Sequence, residues 1–312
     1  MAVTGQEPKT PQGRRARSRI LLIVVVTAAL FACAAVVYFT QQNIRSAERR
    51  HEILLGTEVS AAANSITAYL ESRQQQVKDF AREQSPLLNE LAGNAQSAVL
   101  HRQIGNILRL RFPGYFTFTI ADRDGTDLID DLDGFVGDAC KLGIREYVEH
   151  LAASGNGTAN RTADYRTVIH PQANNYHFDV MAPWSDGDVL KGVFFVSFFP
   201  TQLRGTLNAH QSPGHALVII NTDRPYLIEV TAAGARDKIS LRRDINLTDD
   251  EIAQIRATQD IPGSHWRVVG YVEPDLLKRA RTDAWFDAAI FLTFVIVAAA
   301  GIIGLAPGAG RA

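Results

Sequence analysis

A segment in the middle of the chain carries the residues best suited to bind a small molecule. Residues 176–183 alternate in character as in a β-strand, and alternate side chains of a strand point to opposite faces of its sheet. His177, Asp179 and Met181 therefore share one face, which we expect to line a pocket. There Asp179 can accept hydrogen bonds from a ligand amine or hydroxyl, and His177 can donate or accept near neutral pH.

Further polar and aromatic residues flank this strand. Arg161, Arg166 and His170 can hold an anion, because a guanidinium binds a carboxylate through two parallel hydrogen bonds. Tyr165 and Trp184 would supply apolar walls with a polar tip. The predicted ligand-binding residues are Arg161, Tyr165, Arg166, His170, His177, Asp179 and Trp184. The alternative interpretation is that they are surface residues of a half-exposed sheet, or Asp–Arg pairs across neighbouring strands.

No motif for catalysis or metal binding accompanies these residues. The sequence has no Gly-x-Ser-x-Gly elbow, P-loop, Cys-x-x-Cys pair or His spacing typical of a metal site. The acidic run from Asp122 to Asp133 fails as a calcium loop, because the position that requires Gly is Asp127. We therefore predict no enzyme activity, metal or cofactor in this chain.

The elements that must position the polar segment are predicted by the same alternation. The order is a hairpin at 116–129, a helix at 140–153, and strands at 166–170, 176–182 and 192–199. This order predicts a PAS-like antiparallel five-stranded sheet with a helix on one face, in the α+β class.

A smaller α/β unit follows this sheet. Residues 215–231 read as a second hairpin, and 264–272 as a last strand. Between them Thr248 begins a helix whose first turn is acidic, which is a favourable start for a helix.

Apolar residues are concentrated at the two ends of the chain. Residues 20–39 carry no charge, and at about 1.5 Å per residue they would cover roughly 30 Å, the thickness of the hydrocarbon core. A second apolar stretch runs from Ala288 to Leu305, with Trp285 at its entry. A cleaved signal peptide is the alternative for the first stretch, although its apolar part should be only about 7–15 residues long.

The basic residues before the first span predict its orientation. Lys9, Arg14, Arg15, Arg17 and Arg19 precede it, and such a cluster holds the N-terminus in the cytoplasm. The central residues 41–283 would then lie in the periplasm or outside the cell, between two spans of the inner (cytoplasmic) membrane.

A long helix is predicted directly after the first span. Residues 41–84 contain no Pro and a single Gly. Leu55, Val59, Ala62, Ile66 and Tyr69 follow the 4-3-4-3 spacing of a coiled-coil seam. This stem predicts a parallel homodimer; the alternative is an amphipathic helix that lies against its own domain.

Charge and composition exclude other classes of protein. The 312 residues carry 32 Lys and Arg against 33 Asp and Glu, a formal net charge of −1. We expect no nucleic-acid partner, because such proteins normally carry a basic excess. A hydrophobic content of 46% excludes a mainly disordered chain.

Taken together, these segments resemble a known family. They resemble the double-Cache-like extracytoplasmic sensors of bacterial membrane receptors. Three segments carry this resemblance, namely LRLRFPGYFTFTIADRDGTDLIDD (108–131), NYHFDVMAPW (175–184) and GVFFVSFFPTQL (192–203). Such receptors include diguanylate cyclases, histidine kinases and chemotaxis receptors. The resemblance implies a dimer that binds a small molecule in its membrane-distal sheet and passes a helix displacement across the membrane.

The sequence departs from that family in two places. Only APGAGRA follows Leu305, so we expect a truncated or stand-alone receptor without its own output domain, or one that signals through a separate cytoplasmic partner. The Arg-x-Trp-Tyr cluster of amino-acid-sensing members is replaced by NRTADYRTVIHP, so an amino-acid ligand is not supported. The alternative function is a structural protein of the cell envelope that dimerises through its stem and binds a protein partner.

The expected organisation follows from these segments. It comprises a basic cytoplasmic tail (1–19), a transmembrane helix (20–40), a helical stem (41–111), a membrane-distal Cache unit (112–205), a smaller membrane-proximal unit (206–283), a second transmembrane helix (284–305) and a short cytoplasmic tail (306–312).

Overall fold

The structure is a computed structural model, and it describes residues 11–129, 138–153, 176–187, 189–236 and 243–305. The chain divides into two units, one of Met1–His51 with Pro274–Ala312, and one of Glu52–Glu273. Four of the predicted ligand-binding residues lie outside the described residues, namely Arg161, Tyr165, Arg166 and His170.

The first unit contains the two apolar segments. They lie in α1 (Pro11–Glu83) and in the last helix, α7 (Pro274–Leu305). Both helices contain a stretch that is long and apolar enough to cross a membrane. Large apolar side chains such as Phe31 and Phe294 are exposed, as lipid-facing residues would be.

The remainder of α1 belongs to the second unit, and its apolar stripe is buried there. Leu55, Val59 and Ile66 are almost completely buried. A Cβ at Gly270 would lie 2.6 Å from Val59 Cγ2, so the helix packs closely on the strand that carries this glycine. The predicted continuous helix is confirmed, and its apolar seam lies against its own domain, as the alternative interpretation predicted; a homodimer stays a prediction. A 4-3-4-3 spacing marks any apolar helix face, and here that face contacts its own domain.

The first sheet has three strands among the described residues, in the order β1-β3-β2, with both pairs antiparallel. The predicted return strand at 126–129 is instead a turn with an isolated bridge between Ala121 and Asp127, and the predicted strand at 166–170 lies outside the described residues. The elements of this part are α2 (Ser85–Gly93), α3 (Ala98–Arg111), β1 (Tyr115–Asp122), α4 (Asp138–Ala153), β2 (Phe178–Asp186), β3 (Val189–Phe198) and α5 (Thr201–His210).

The second sheet is antiparallel and has four strands in the described residues, in the order β5-β4-β7-β6. The predicted hairpin and last strand are present, and Thr248 caps its helix with the reciprocal hydrogen bonds of a capping box to Glu251. One strand, β6, was not predicted. The elements are β4 (His215–Asn221), β5 (Ile228–Thr231), α6 (Asp249–Ala253), β6 (Ile255–Ile261) and β7 (Trp266–Val272). Both the α+β class and the succession of a long helix, two antiparallel sheets and a final helix are therefore confirmed.

Candidate functional site

One face of the first sheet carries a row of buried polar side chains. The strand register places Thr117 and Asp179 on either side of Ser197, and residues opposite each other in a sheet share a face. Asp179 and Ser197 are both 0% exposed. Two residues further along each strand, on the same face, lie Thr119, Phe195 and Met181.

Asp179 is the centre of this row. Its Oδ1 accepts a hydrogen bond of 2.7 Å from the Ser197 hydroxyl, and His177 Nε2 lies 3.8 Å from the same oxygen. The centre of the His177 ring lies 4.9 Å from the centre of the Phe116 ring. The centre of the Phe116 ring lies 4.7 Å from the centre of the Phe199 ring. The structure therefore brings His177 and Asp179 together, beside two aromatic rings.

Helix α4 packs against part of this face of the sheet. Ile144 and Tyr147 from α4 form a buried cluster with Met181, Phe195 and other strand residues. Burial raises the pKa of Tyr147, so the hydroxyl keeps its proton at physiological pH. We call this surface the α4 face; its residues in the sheet are Thr117, Thr119, Ala121, Asp179, Met181, Val193, Phe195 and Ser197.

The opposite face of the same sheet is aromatic. Phe80 of α1 stacks on Phe194 at 5.4 Å, and Phe178 lies 5.7 Å from Phe198. The guanidinium of Arg73 is also buried here, 4.9 Å from the centre of the Phe198 ring. We call this surface the aromatic face; its residues in the sheet are Phe118, Ile120, Phe178, Val180, Ala182, Phe194, Val196 and Phe198.

Trp184 is placed differently from the other predicted site residues. It lies opposite Gly192. Because it stands an even number of residues after Phe178 along β2, the strand alternation puts it on the aromatic face. Its indole nitrogen donates a 3.2 Å hydrogen bond to the carbonyl of Ala121. A Cβ at Gly192 would lie 1.9 Å from that carbonyl oxygen, so only glycine allows this close approach. The register therefore does not place Trp184 beside Asp179.

The second sheet also contains a polar cluster, but its groups bind one another. Arg243 donates to both carboxylate oxygens of Glu251, at 2.7 and 2.6 Å, and the Tyr271 hydroxyl donates to Oε1 at 2.8 Å. Burial alone would raise the pKa of Glu251, but the hydrogen bonds from Arg243, Thr248 and Tyr271 lower it to about 2. Burial and the bond to Glu251 raise the pKa of Tyr271 to about 12. This cluster is satisfied within the chain.

Sequence reasoning missed several residues of the α4 face. Only the register between strands brings Thr117, Thr119 and Ser197 onto this face. Only the packing of α4 adds Tyr147 to it. Among the described residues, no group of three or more His, Cys, Asp or Glu side chains is placed to hold a metal ion.

Comparison with known proteins returned solved structures alone, since no family model and no curated protein matches the chain. The ligand-binding domain of the Pseudomonas aeruginosa amino-acid chemoreceptor PctC, in complex with GABA, is 16% identical over 71% of this chain and 99% of that one, with a TM-score of 0.43. The sensor domain of the Vibrio cholerae histidine kinase DctB is 12% identical over 74% of this chain and 98% of that one, with a TM-score of 0.47.

The periplasmic domain of Vibrio cholerae LuxQ also matches, at 14% identity over 70% of this chain and 99% of that one, with a TM-score of 0.44. These three structures are thus a ligand-binding domain, a sensor domain and a periplasmic domain. At these identities and TM-scores the similarity carries no argument about the function or the ligand of this chain.

Proposed function

We propose that the chain is a membrane-anchored extracytoplasmic sensor that binds a small solute on the α4 face and transmits a helix displacement across the membrane. The observation that carries this proposal is the fully buried carboxylate of Asp179, in a row with two buried hydroxyl groups. Asp179 accepts a hydrogen bond from Ser197, and because a carboxylate can accept several hydrogen bonds, it could also receive one from a ligand amine or hydroxyl.

The two apolar helices support the membrane anchor. In the sequence they precede and follow the segment Glu52–Glu273, which holds both sheets. With the basic tail in the cytoplasm, this unit would lie in the periplasm or outside the cell, and the anchor in the inner membrane. The proposed sensor unit is 112–205 and the proposed membrane-proximal unit 206–283. A homodimer and a separate cytoplasmic signalling partner belong to the proposal as well.

The alternative function, a structural protein that dimerises through its stem, depended on the apolar seam of α1. Because Leu55, Val59 and Ile66 are buried against the chain itself, that seam is not available to a second copy. We therefore keep the sensor as the conclusion.

A thermal-shift screen of the full chain in lipid nanodiscs tests the sensor. The panel contains small amines, amino alcohols, polyols and amino acids, and includes GABA, the compound in the PctC complex. A compound present at 100 times its dissociation constant should add about 2.7 kcal/mol to the free energy of unfolding. A panel without a stabilising compound would contradict the proposal.

Variants then locate the site. Asp179→Ala and Arg166→Ala should each reduce affinity for the compound found without unfolding the domain. Asp124→Ala is the matched control, because Asp124 is an exposed acid in the turn after β1. Unchanged affinity in both test variants would place the binding site elsewhere.

A further inference from the structure

One arginine of α1 is held by aromatic rings that come from separate parts of the chain. The side chain of Arg73 is buried. Its guanidinium carbon lies 5.2 Å from the ring centre of Tyr69, 5.5 Å from that of Phe112 and 4.9 Å from that of Phe198. Its side-chain hydrogen bonds are longer than usual, at 3.3 Å to Gln76 and 3.4 Å to the Tyr69 hydroxyl. A cation is attracted to the face of an aromatic ring, most strongly where water is excluded. The rings are therefore the main partners of this charge.

The rings that contact α1 stand directly beside the polar row of the α4 face. Phe198 follows Ser197 along β3, and Phe178 precedes Asp179 along β2. Because successive side chains of a strand point to opposite faces, the two phenylalanines belong to the aromatic face. They lie opposite each other, with 5.7 Å between their ring centres. The centre of the Phe178 ring is also 6.3 Å from that of Tyr69. Helix α1 thus contacts the immediate neighbours of the polar row.

The hydrogen bond between Ser197 and Asp179 joins the same two strands on the other face of the sheet. It measures 2.7 Å, and both residues are fully buried. A change in this bond alters the relative position of β2 and β3, one residue away from the two phenylalanines on each strand. Closely packed interiors transmit such shifts because they are hardly compressible. Since α1 is continuous (Pro11–Glu83), a shift at Arg73 acts on the helix that contains the first apolar segment.

We infer that Arg73 is a positioning residue, through which a rearrangement of Ser197 and Asp179 displaces α1. This role rests on the proposed function, since it assigns the contact by which the α4 face acts on the helix. A guanidinium suits the role, because it stacks on aromatic faces and keeps its charge at any physiological pH. The coupling does not require a ligand for its measurement, because the Ser197 hydroxyl can be removed by substitution.

Hydrogen exchange measured by mass spectrometry tests this coupling on the full chain in nanodiscs. Ser197→Ala removes the hydroxyl that donates to Asp179. It should raise the exchange rates of amides at 66–77 of α1 about threefold more than those of β4, an effect at the lower end of the coupling within one contact network. Strand β4 reports any global loss of stability. In the Arg73→Met background this excess at α1 should disappear, because methionine packs in the same place without the charge.

Two further backgrounds separate the proposed role from a general loss of packing. Arg82→Met is the matched control, because Arg82 also lies on α1 but its side chain is 77% exposed; this background should keep the excess. Arg73→Lys retains a cation near the rings and should restore part of it. If Arg73→Met does not fold, Phe198→Leu replaces it in the comparison, since that change removes the ring closest to the guanidinium.

The outcomes distinguish this role from the proposed function. An excess that never appears in Ser197→Ala, or that persists in the Arg73→Met background, would overturn the role of Arg73. Neither result involves a ligand, so the sensor is still judged by the thermal-shift screen. If the coupling is present and the screen finds no stabilising compound, the proposed function fails while the contact between the polar row and α1 is retained.

Discussion

The two faces of the first sheet are built from the same three strands but carry opposite chemistry. The aromatic face packs rings such as Phe178, Phe194 and Phe198 together with Phe80 of α1. The α4 face buries hydroxyl groups and the carboxylate of Asp179 at equivalent depth. Buried apolar area stabilises a fold in proportion to its size, whereas buried polar groups at best recover their desolvation cost. The comparison teaches that the aromatic face contributes mainly packing, whereas the α4 face combines an apolar cluster with the buried polar row that we propose for binding.

The largest expected effect is a loss of packing on the aromatic face. Phe194→Ala should lower the free energy of unfolding by about 3–5 kcal/mol, the usual cost of removing a buried phenyl ring. Urea titration of the full chain in nanodiscs measures it, with the buried Trp184 and Trp266 as fluorescence reporters. Leu110→Ala is the control, because Leu110 is 89% exposed and should change stability by less than about 0.5 kcal/mol. Equal losses in both variants would remove the distinction between core and surface.

A reciprocal pair of isosteric changes compares the two faces directly. Val196→Thr places a hydroxyl on the aromatic face and should cost about 1–3 kcal/mol, because that group would be buried among apolar neighbours. Thr119→Val removes a hydroxyl from the α4 face and should change stability by less than about 1 kcal/mol. The same urea titration measures both. If Thr119→Val proves the more costly, the hydroxyls of the α4 face are structural and the division between the faces is wrong.

The division between the faces was partly predictable from the sequence. The alternation of residues 176–183 assigned His177, Asp179 and Met181 to one face, and the structure agrees. The long helix and the Thr248 cap were predictable for the same reason, since each depends on local spacing alone. Strand β6 was missed because its residues Ile255–Ile261 are mostly polar and half-exposed, so no apolar run marks it.

The rest of the site depends on contacts between segments distant in the chain. Ser197 reaches Asp179, and Thr117 joins the same row, only because β3 pairs with both other strands, and a single sequence does not determine that register. The seam of α1 was open to two interpretations for a similar reason: its spacing identifies an apolar face, but not what covers it.

The smallest expected effect concerns the polar cluster of the second sheet, which shows how buried polar groups behave when they bind one another. Glu251→Gln should lower the free energy of unfolding by about 1 kcal/mol at pH 7, because the ion pair with Arg243 is partly exposed and its stabilisation is screened. Urea titrations at several pH values measure the loss. Glu90→Gln, at an exposed acid of α2, should have no measurable effect.

The pH dependence of this loss has a definite sign. The pKa of Glu251 is lowered from 4.5 to about 2 in the folded chain, so its ionised form is stabilised by folding. That contribution is complete above pH 4.5 and is lost as the pH falls towards 2. The difference between wild type and Glu251→Gln should therefore shrink over this interval. If it stays constant, the hydrogen bonds rather than the charge of Glu251 stabilise the cluster.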